Sequence, residues 1–192
     1  MTIHPEHPFL PAAEERDPVR RLRARLVAPV TIWAAASEGA MGGRITRAGF
    51  TVGSTTVADG DPACVLGLID PEAELWTALQ DSGRFTVNVL HWTDRNVADV
   101  FAGLAPSPGG NFGTGIWQDT AYGPALEGRT WAGCRLVGSR TVGYGLLVTG
   151  AIKEVVVDPT EGRDGGSATE SAPADALARL RGRYTPVPAP RR

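Results

Sequence analysis

Between Thr46 and Thr56 the chain sets five hydroxyl side chains, Thr46, Thr51, Ser54, Thr55 and Thr56, around Gly49 and Gly53, with Arg47 among them. Small residues let a flat ring or a phosphate come close to backbone N–H groups. Hydroxyls donate to phosphate oxygens, and a guanidinium adds charge to such bonds. The residues alone leave two readings open: a binding segment for a phosphorylated, ring-bearing ligand, or an ordinary strand rich in threonine. Glycine is costly in a plain strand, so Gly49 and Gly53 imply a bulge or a close approach to the backbone.

Other chemistries have little support. The three histidines are His4 and His7 near the N-terminus and His91 in the body. A serine hydrolase needs a usable histidine and usually a Gly-x-Ser-x-Gly elbow, and no such elbow is present. His91, alone at a strand end, reads as structural or surface. Neither a Gly-x-x-x-x-Gly-Lys-Ser/Thr loop nor a strand–Gly-x-Gly-x-x-Gly–helix unit occurs, and the glycines from Gly109 to Gly115 read as loop. Cys64 and Cys134 are far apart and lack the paired spacing of a zinc site, so they read as reduced, buried thiols. The formal charge of −2 argues against a general nucleic-acid binder. No basic-then-apolar leader and no long apolar run is visible, which predicts a cytoplasmic protein without a membrane span.

The elements that must position these residues follow from periodicity. Residues 1–17, rich in Pro and Glu, read as an arm. Asp17 before Pro18 reads as a helix cap, with Val19, Leu22, Leu26 and Val27 at helical spacing up to Pro29. Pro29 to Ala36, Arg44 to Ser54, Ala63 to Ile69, Arg84 to Leu90, Thr130 to Val137 and Tyr144 to Asp158 read as strands. In Arg84–Leu90, Phe85, Val87 and Val89 share one face. Helices are predicted after Asp70-Pro71, with Leu75, Trp76 and Leu79, and from Arg95 to Leu104. Trp117 to Gly128 reads as an irregular connection, 159–174 as a flexible insert, Ala176 to Leu180 as a short helical or extended piece, and 186–192 as a Pro- and Arg-rich tail. Six or seven strands without βαβ alternation predict a mainly β domain over 18–185, a largely antiparallel barrel with peripheral helices.

At this point the chain resembles the flavin-reductase-like family of FMN-binding split barrels. Leu79-Gln-Asp-Ser-Gly-Arg-Phe-Thr-Val-Asn-Val-Leu90 carries the resemblance furthest, against the family's Leu-Arg-Glu-Ser-Gly-Arg-Phe-Ala-Val-Asn-Val-Leu. Ala48-Gly-Phe-Thr-Val-Gly-Ser54 stands where the family has Asn-Ser-Phe-Thr-Ser-Val-Ser. Ala28-Pro-Val-Thr-Ile-Trp33 and Asp61-Pro-Ala-Cys-Val-Leu66 flank it in the family's order. Ala98-Asp-Val-Phe-Ala-Gly103, Pro124-Ala-Leu-Glu-Gly128, Cys134-Arg-Leu-Val137 and Arg181-Gly-Arg-Tyr184 complete the series.

The resemblance implies a split barrel, FMN as cofactor with FAD as the alternative, and NAD(P)H as co-substrate. It also implies a homodimer and reduction of flavin, in some members for a partner monooxygenase. Carried over residue by residue, it places the flavin ring against Ala48, Gly49 and Phe50 and beside Val30 and Thr31. Ser54 and Thr55 match the hydroxyl pair near the phosphate. Arg47 and Thr51 complete the binding strand, and His91 and Trp92 follow the second flavin-contacting strand. The family's Asp-His-Thr is replaced by Gly143-Tyr-Gly-Leu146, so Tyr144 takes the place of the histidine near the nicotinamide. That departure motivates the alternative of a protein that holds FMN without nicotinamide-dependent turnover.

Overall fold

The structure is a computed structural model, and it describes residues 17–38, 43–158 and 175–188. The arm at 1–16, the insert at 159–174 and the tail end at 189–192 lie outside the described residues.

The centre is a seven-stranded antiparallel sheet. Its strands are β2 (Thr31–Glu38), β3 (Ile45–Val52), β4 (Thr56–Ala58), β5 (Cys64–Ile69), β6 (Arg84–Val89), β9 (Trp131–Val142) and β10 (Gly145–Val156), in the order β3-β2-β6-β9-β10-β5-β4. The sheet curls until β3 meets β5. There the Ser54 hydroxyl accepts from Leu68 N (2.7 Å) and donates to Leu68 O (3.3 Å), a side-chain substitute for a missing ladder pair. Trp33 and Phe85 stack inside at 4.9 Å between centroids. Gly67 makes room for them: a Cβ there would lie 2.6 Å from the Trp33 ring. Helix α2 (Glu74–Ser82) closes this core with Leu75 and Leu79, and ends at Gly83 in the left-handed region (φ 63°).

A second core lies outside the barrel. It joins Val30, Ile32, Ala34 and Leu90 to Val100 and Phe101 of α3 (Arg95–Phe101) and to Leu177 of β11 (Ala176–Leu180). β11 forms a small sheet with β1 (Ala28–Pro29) and β12 (Arg183–Val187). The piece at 176–180 is therefore strand, and strand structure runs past 185 to Val187.

Three other expectations change. Residues 117–128 are not irregular: β7 (Trp117–Thr120) and β8 (Gly123–Leu126) form a hairpin. That hairpin covers the polar face of β6, so Thr86 and Asn88 are buried along with Phe85 and Val87. Buried polar groups need partners. Asn88 donates to Ile32 O and accepts from Leu126 N (2.8 Å), and Thr86 donates to Pro124 O. Helix α1 (Pro18–Arg25) starts where expected, with Asp17 accepting from Val19 N, but it ends at Arg25, leaving Leu26 and Val27 outside it, and it buries none of its residues.

Candidate functional site

Strand β3 supplies one wall of an open cleft of about 520 Å³. Arg47, Ala48 and Gly49 line it from β3, with Arg44 just before the strand. Glu74 of α2, Asp119 of β7 and the loop Gly109-Gly-Asn-Phe112 line it from the other sides. The volume falls in the range of small-molecule sites, roughly 300–1,000 Å³. Gly109 and Gly110 both have φ above 90°, a sharp double turn that side chains disfavour, and it delivers Asn111 and Phe112 to the cleft. Ser107 donates to Asn111 Oδ1 (2.7 Å), and the Asn111 amide nitrogen makes no hydrogen bond among the described residues. Arg47 Nη2 meets Asp119 Oδ2 at 2.5 Å across the rim. Both side chains are substantially exposed, so the pair orients Arg47 more than it stabilises the fold. A second cleft shares Ile45 and Asp119 with the first and is lined by Ser37, Glu38, Ser82, Arg84 and Tyr122.

Gly49 has a different neighbour from the ligand expected at the sequence level. A Cβ there would lie 2.6 Å from Phe101 Cε1 and 3.3 Å from Phe112 Cζ, so the close approach comes from an aromatic core. Phe101, Phe112 and Trp117 pack with centroids 5.0–5.2 Å apart. This cluster is the floor on which Phe112 stands at the cleft edge.

The remaining site residues fall into other places. Phe50 packs against the barrel core, and Thr51 donates to Ala98 O (2.8 Å), pinning α3 to β3. Val30 is buried, its N–H donating to Leu177 O (3.1 Å). Thr31 and Thr55 form a relay: Thr31 Oγ1 bonds Val52 O (2.9 Å) and lies 2.6 Å from Thr55 Oγ1, which accepts from Trp33 Nε1 (3.0 Å). With the Thr31 proton on Val52 O, the Thr55 proton goes to Thr31. A phosphate would have to displace that bond to receive it, and Ser54 is engaged with Leu68.

His91 is buried in the turn that begins α3, its N–H donating to Asp94 Oδ2 (2.8 Å). Asp94 also takes Arg129 in a two-pronged pair at 2.7 and 2.8 Å. Trp92 lies under the Arg95 guanidinium at 3.8 Å. These groups frame the turn and do not line the cleft. Tyr144 is fully exposed at the tip of the β9–β10 hairpin. The sequence reading missed Arg44, Glu74, Asn111, Phe112 and Asp119; the paired glycines before Asn111 were the available signal.

Two groups titrate far from their usual range. Burial, with the Cys64 thiol nearby as a smaller cause, pushes Cys134 up to about 12. Burial, then the neighbouring Asp99 carboxylate, pushes Tyr184 up to about 12. No cluster of metal-ligating side chains exists among the described residues, and no described helix is long and apolar enough to cross a membrane.

Residues 23–187 match the model of the flavin reductase like domain. The chain belongs to the flavin reductase like family. Two curated relatives are named FMN reductase (NADH) RutF. The one from Stutzerimonas stutzeri is 29% identical over 130 residues, covering 67% of this chain and 71% of the relative. The one from Variovorax paradoxus is 30% identical over 138 residues, covering 71% of each. Among solved structures, a homologue of nitrilotriacetate monooxygenase component B from Mycobacterium thermoresistibile superposes with a TM-score of 0.72. It is 26% identical, with 91% of this chain and 90% of that one covered. The family membership accounts for the antiparallel split barrel and for the order of its segments.

Proposed function

We propose that the chain reduces flavin at the expense of NADH, with FMN as the preferred flavin and the β3 cleft as its site. The observation that carries this reading is the Ala48–Gly49 backbone lining a cleft of flavin-compatible size, with Arg47 at its rim and Phe112 beside it. The FMN reductase (NADH) name of two relatives supports both the flavin and the reductant. A flavin bound there supplies the redox chemistry, since hydride transfer belongs to the cofactor. The chain's residues do the rest. The strand backbone offers donors along the ring edge, Phe112 walls the cleft, and Arg47 attracts anionic cofactors while Asp119 fixes its direction. The wall of Val30 and Thr31, the hydroxyls of Ser54 and Thr55, and His91 with Trp92 belong to the same proposal as its outer parts.

Purified protein should oxidise NADH only when FMN or FAD is supplied, and Arg47→Ala should weaken flavin binding by about 1–3 kcal/mol. Nicotinamide oxidation at background level with both flavins would end the reductase reading. Gly143-Tyr-Gly-Leu146 in place of the family's Asp-His-Thr, with Tyr144 exposed, favours one alternative: a protein that stays yellow through gel filtration but is not reduced by NADH.

The likeness to a monooxygenase component supports a partner oxygenase that takes the reduced flavin. Val57, Leu68, Val137, Val142 and Tyr144 leave apolar surface on the β4–β5 and β9–β10 strands, which supports a homodimer formed over that face. Two free thiols fit a reducing compartment, and we place the chain in the cytoplasm.

A further inference from the structure

Two segments distant in sequence meet on one side of the barrel. Ala28 pairs with Arg179 between β1 and β11, and Arg181 N donates to Ala24 O at 2.6 Å. Both segments have the same unusual charge pattern. Residues 18–30 and 176–192 hold nine arginines and no acidic residue, leaving ten of the 19 Lys and Arg to face all 21 Asp and Glu elsewhere. Seven of these arginines lie in the described stretches 18–30 and 176–188, so the near-neutral total conceals a basic plate on this side of the barrel.

Arg20, Arg21, Arg23 and Arg25 of α1 and Arg179, Arg181 and Arg183 of the β11–β12 hairpin are exposed. None of the seven has an ion-pair partner among the described residues. The bordering acids Asp17, Asp99 and Asp175 form no ion pair with them among the described residues. The Asp17 carboxylate caps α1 at Val19, and Asp99 lies beside Tyr184. Interleaved with the charges are Val19, Leu22, Leu26 and Val27, each more than 60% exposed. Val19 and Leu22 lie on α1, and Leu26 and Val27 on the extended segment that follows it. Exposed aliphatic side chains among guanidinia that lack ion-pair partners among the described residues have the composition of an interface with an aliphatic centre and an arginine rim.

We infer that this plate docks a different protein through an acidic surface with an apolar centre. Electrostatics rules against the two-fold alternative, because an isologous contact would bring seven guanidinia against seven more. A lipid surface suits the plate less well. Its apolar set is aliphatic, with only Val19 and Leu22 on the helix itself, and lacks the exposed Trp or Phe that anchors an interfacial helix. Duplex nucleic acid would use the charge and leave Leu22 and Leu26 unused. The plate shares no residue with the β3 cleft, so a protein held there leaves the cleft open.

The test uses the full chain and a fluorescent peptide of alternating Glu and Leu, followed by anisotropy at low salt. Polyglutamate of equal length, vesicles of equal phosphatidylserine and phosphatidylcholine, and random duplex DNA serve as competitors. The copeptide should bind, and should bind more tightly than all three. Leu22→Ser with Leu26→Ser should weaken it roughly tenfold, and Arg21→Glu with Arg23→Glu and Arg181→Glu should abolish it. Flavin reduction should be unchanged in both variants. Failure of the copeptide to bind, or tighter binding of the vesicles or DNA, would overturn the inference. So would a change of oligomeric state in the Leu22/Leu26 variant, which would assign the face to a second copy.

Discussion

Gly49→Ala separates a glycine kept for a ligand from one kept for the core. An added Cβ would sit 2.6 and 2.9 Å from two ring carbons of Phe101. Ordinary contact begins near 3.4 Å, so the ring must retreat by about 0.8 Å. Phe101 is 2% exposed and packed edge-on against Phe112 at 5.0 Å, so it has little room to retreat. Overpacking of this kind costs about 1–3 kcal/mol. At about 2–4 °C per kcal/mol for a domain of this size, the melting temperature should fall by roughly 2–12 °C. Phe112 should move with Phe101 and weaken flavin binding as well. Thermal melts followed by circular dichroism measure the first effect and flavin titration the second. Gly49→Ala combined with Phe101→Leu should recover much of the stability, because the second change removes the ring that clashes. An unchanged melting temperature in Gly49→Ala, or no recovery in the double variant, would refute the packing argument.

Other outcomes follow from the same geometry. Asp94→Ala leaves the Arg129 guanidinium without its two-pronged partner and frees the turn at His91, which should cost about 3 kcal/mol, read as a lower urea midpoint with an unchanged slope. Cys134, held protonated by burial, should resist a thiol reagent near neutral pH while the half-exposed Cys64 reacts, giving one fast thiol per native chain and two in denaturant. The raised pKa values of Cys134 and Tyr184 mean that the native state keeps protons the unfolded chain has released; stability is full below pH 9 and falls as pH rises toward 12, and Cys134→Ala with Tyr184→Phe should flatten that slope. Ser54→Ala removes both bonds to Leu68 where the barrel closes, so it should lower stability even without flavin, and an effect confined to flavin affinity would contradict its closing role.

Local sequence set most of the elements and their order, the β7–β8 hairpin excepted. Asp17-Pro18 starts a helix, Gly83 ends one, and the run from Leu79 to Leu90 marks the helix–turn–strand at the heart of the fold, because caps, turns and periodicity are local properties. It also singled out Arg47, Ala48 and Gly49 of β3, which line the cleft proposed as the flavin site. The tertiary structure decided what each of those residues faces. The β7–β8 hairpin turns the polar face of β6 into interior, and no period-two count can register a cover supplied some 30 residues later. Closure of the barrel engages Ser54, and the Thr31–Trp33 relay engages Thr55, so hydroxyls that looked available in the sequence spend their hydrogen bonds within the fold. Asn111, Phe112 and Asp119 reach the cleft from segments 60 to 70 residues beyond β3. Their spacing carries no period, and only the packing of Phe101 against Gly49 brings them to it.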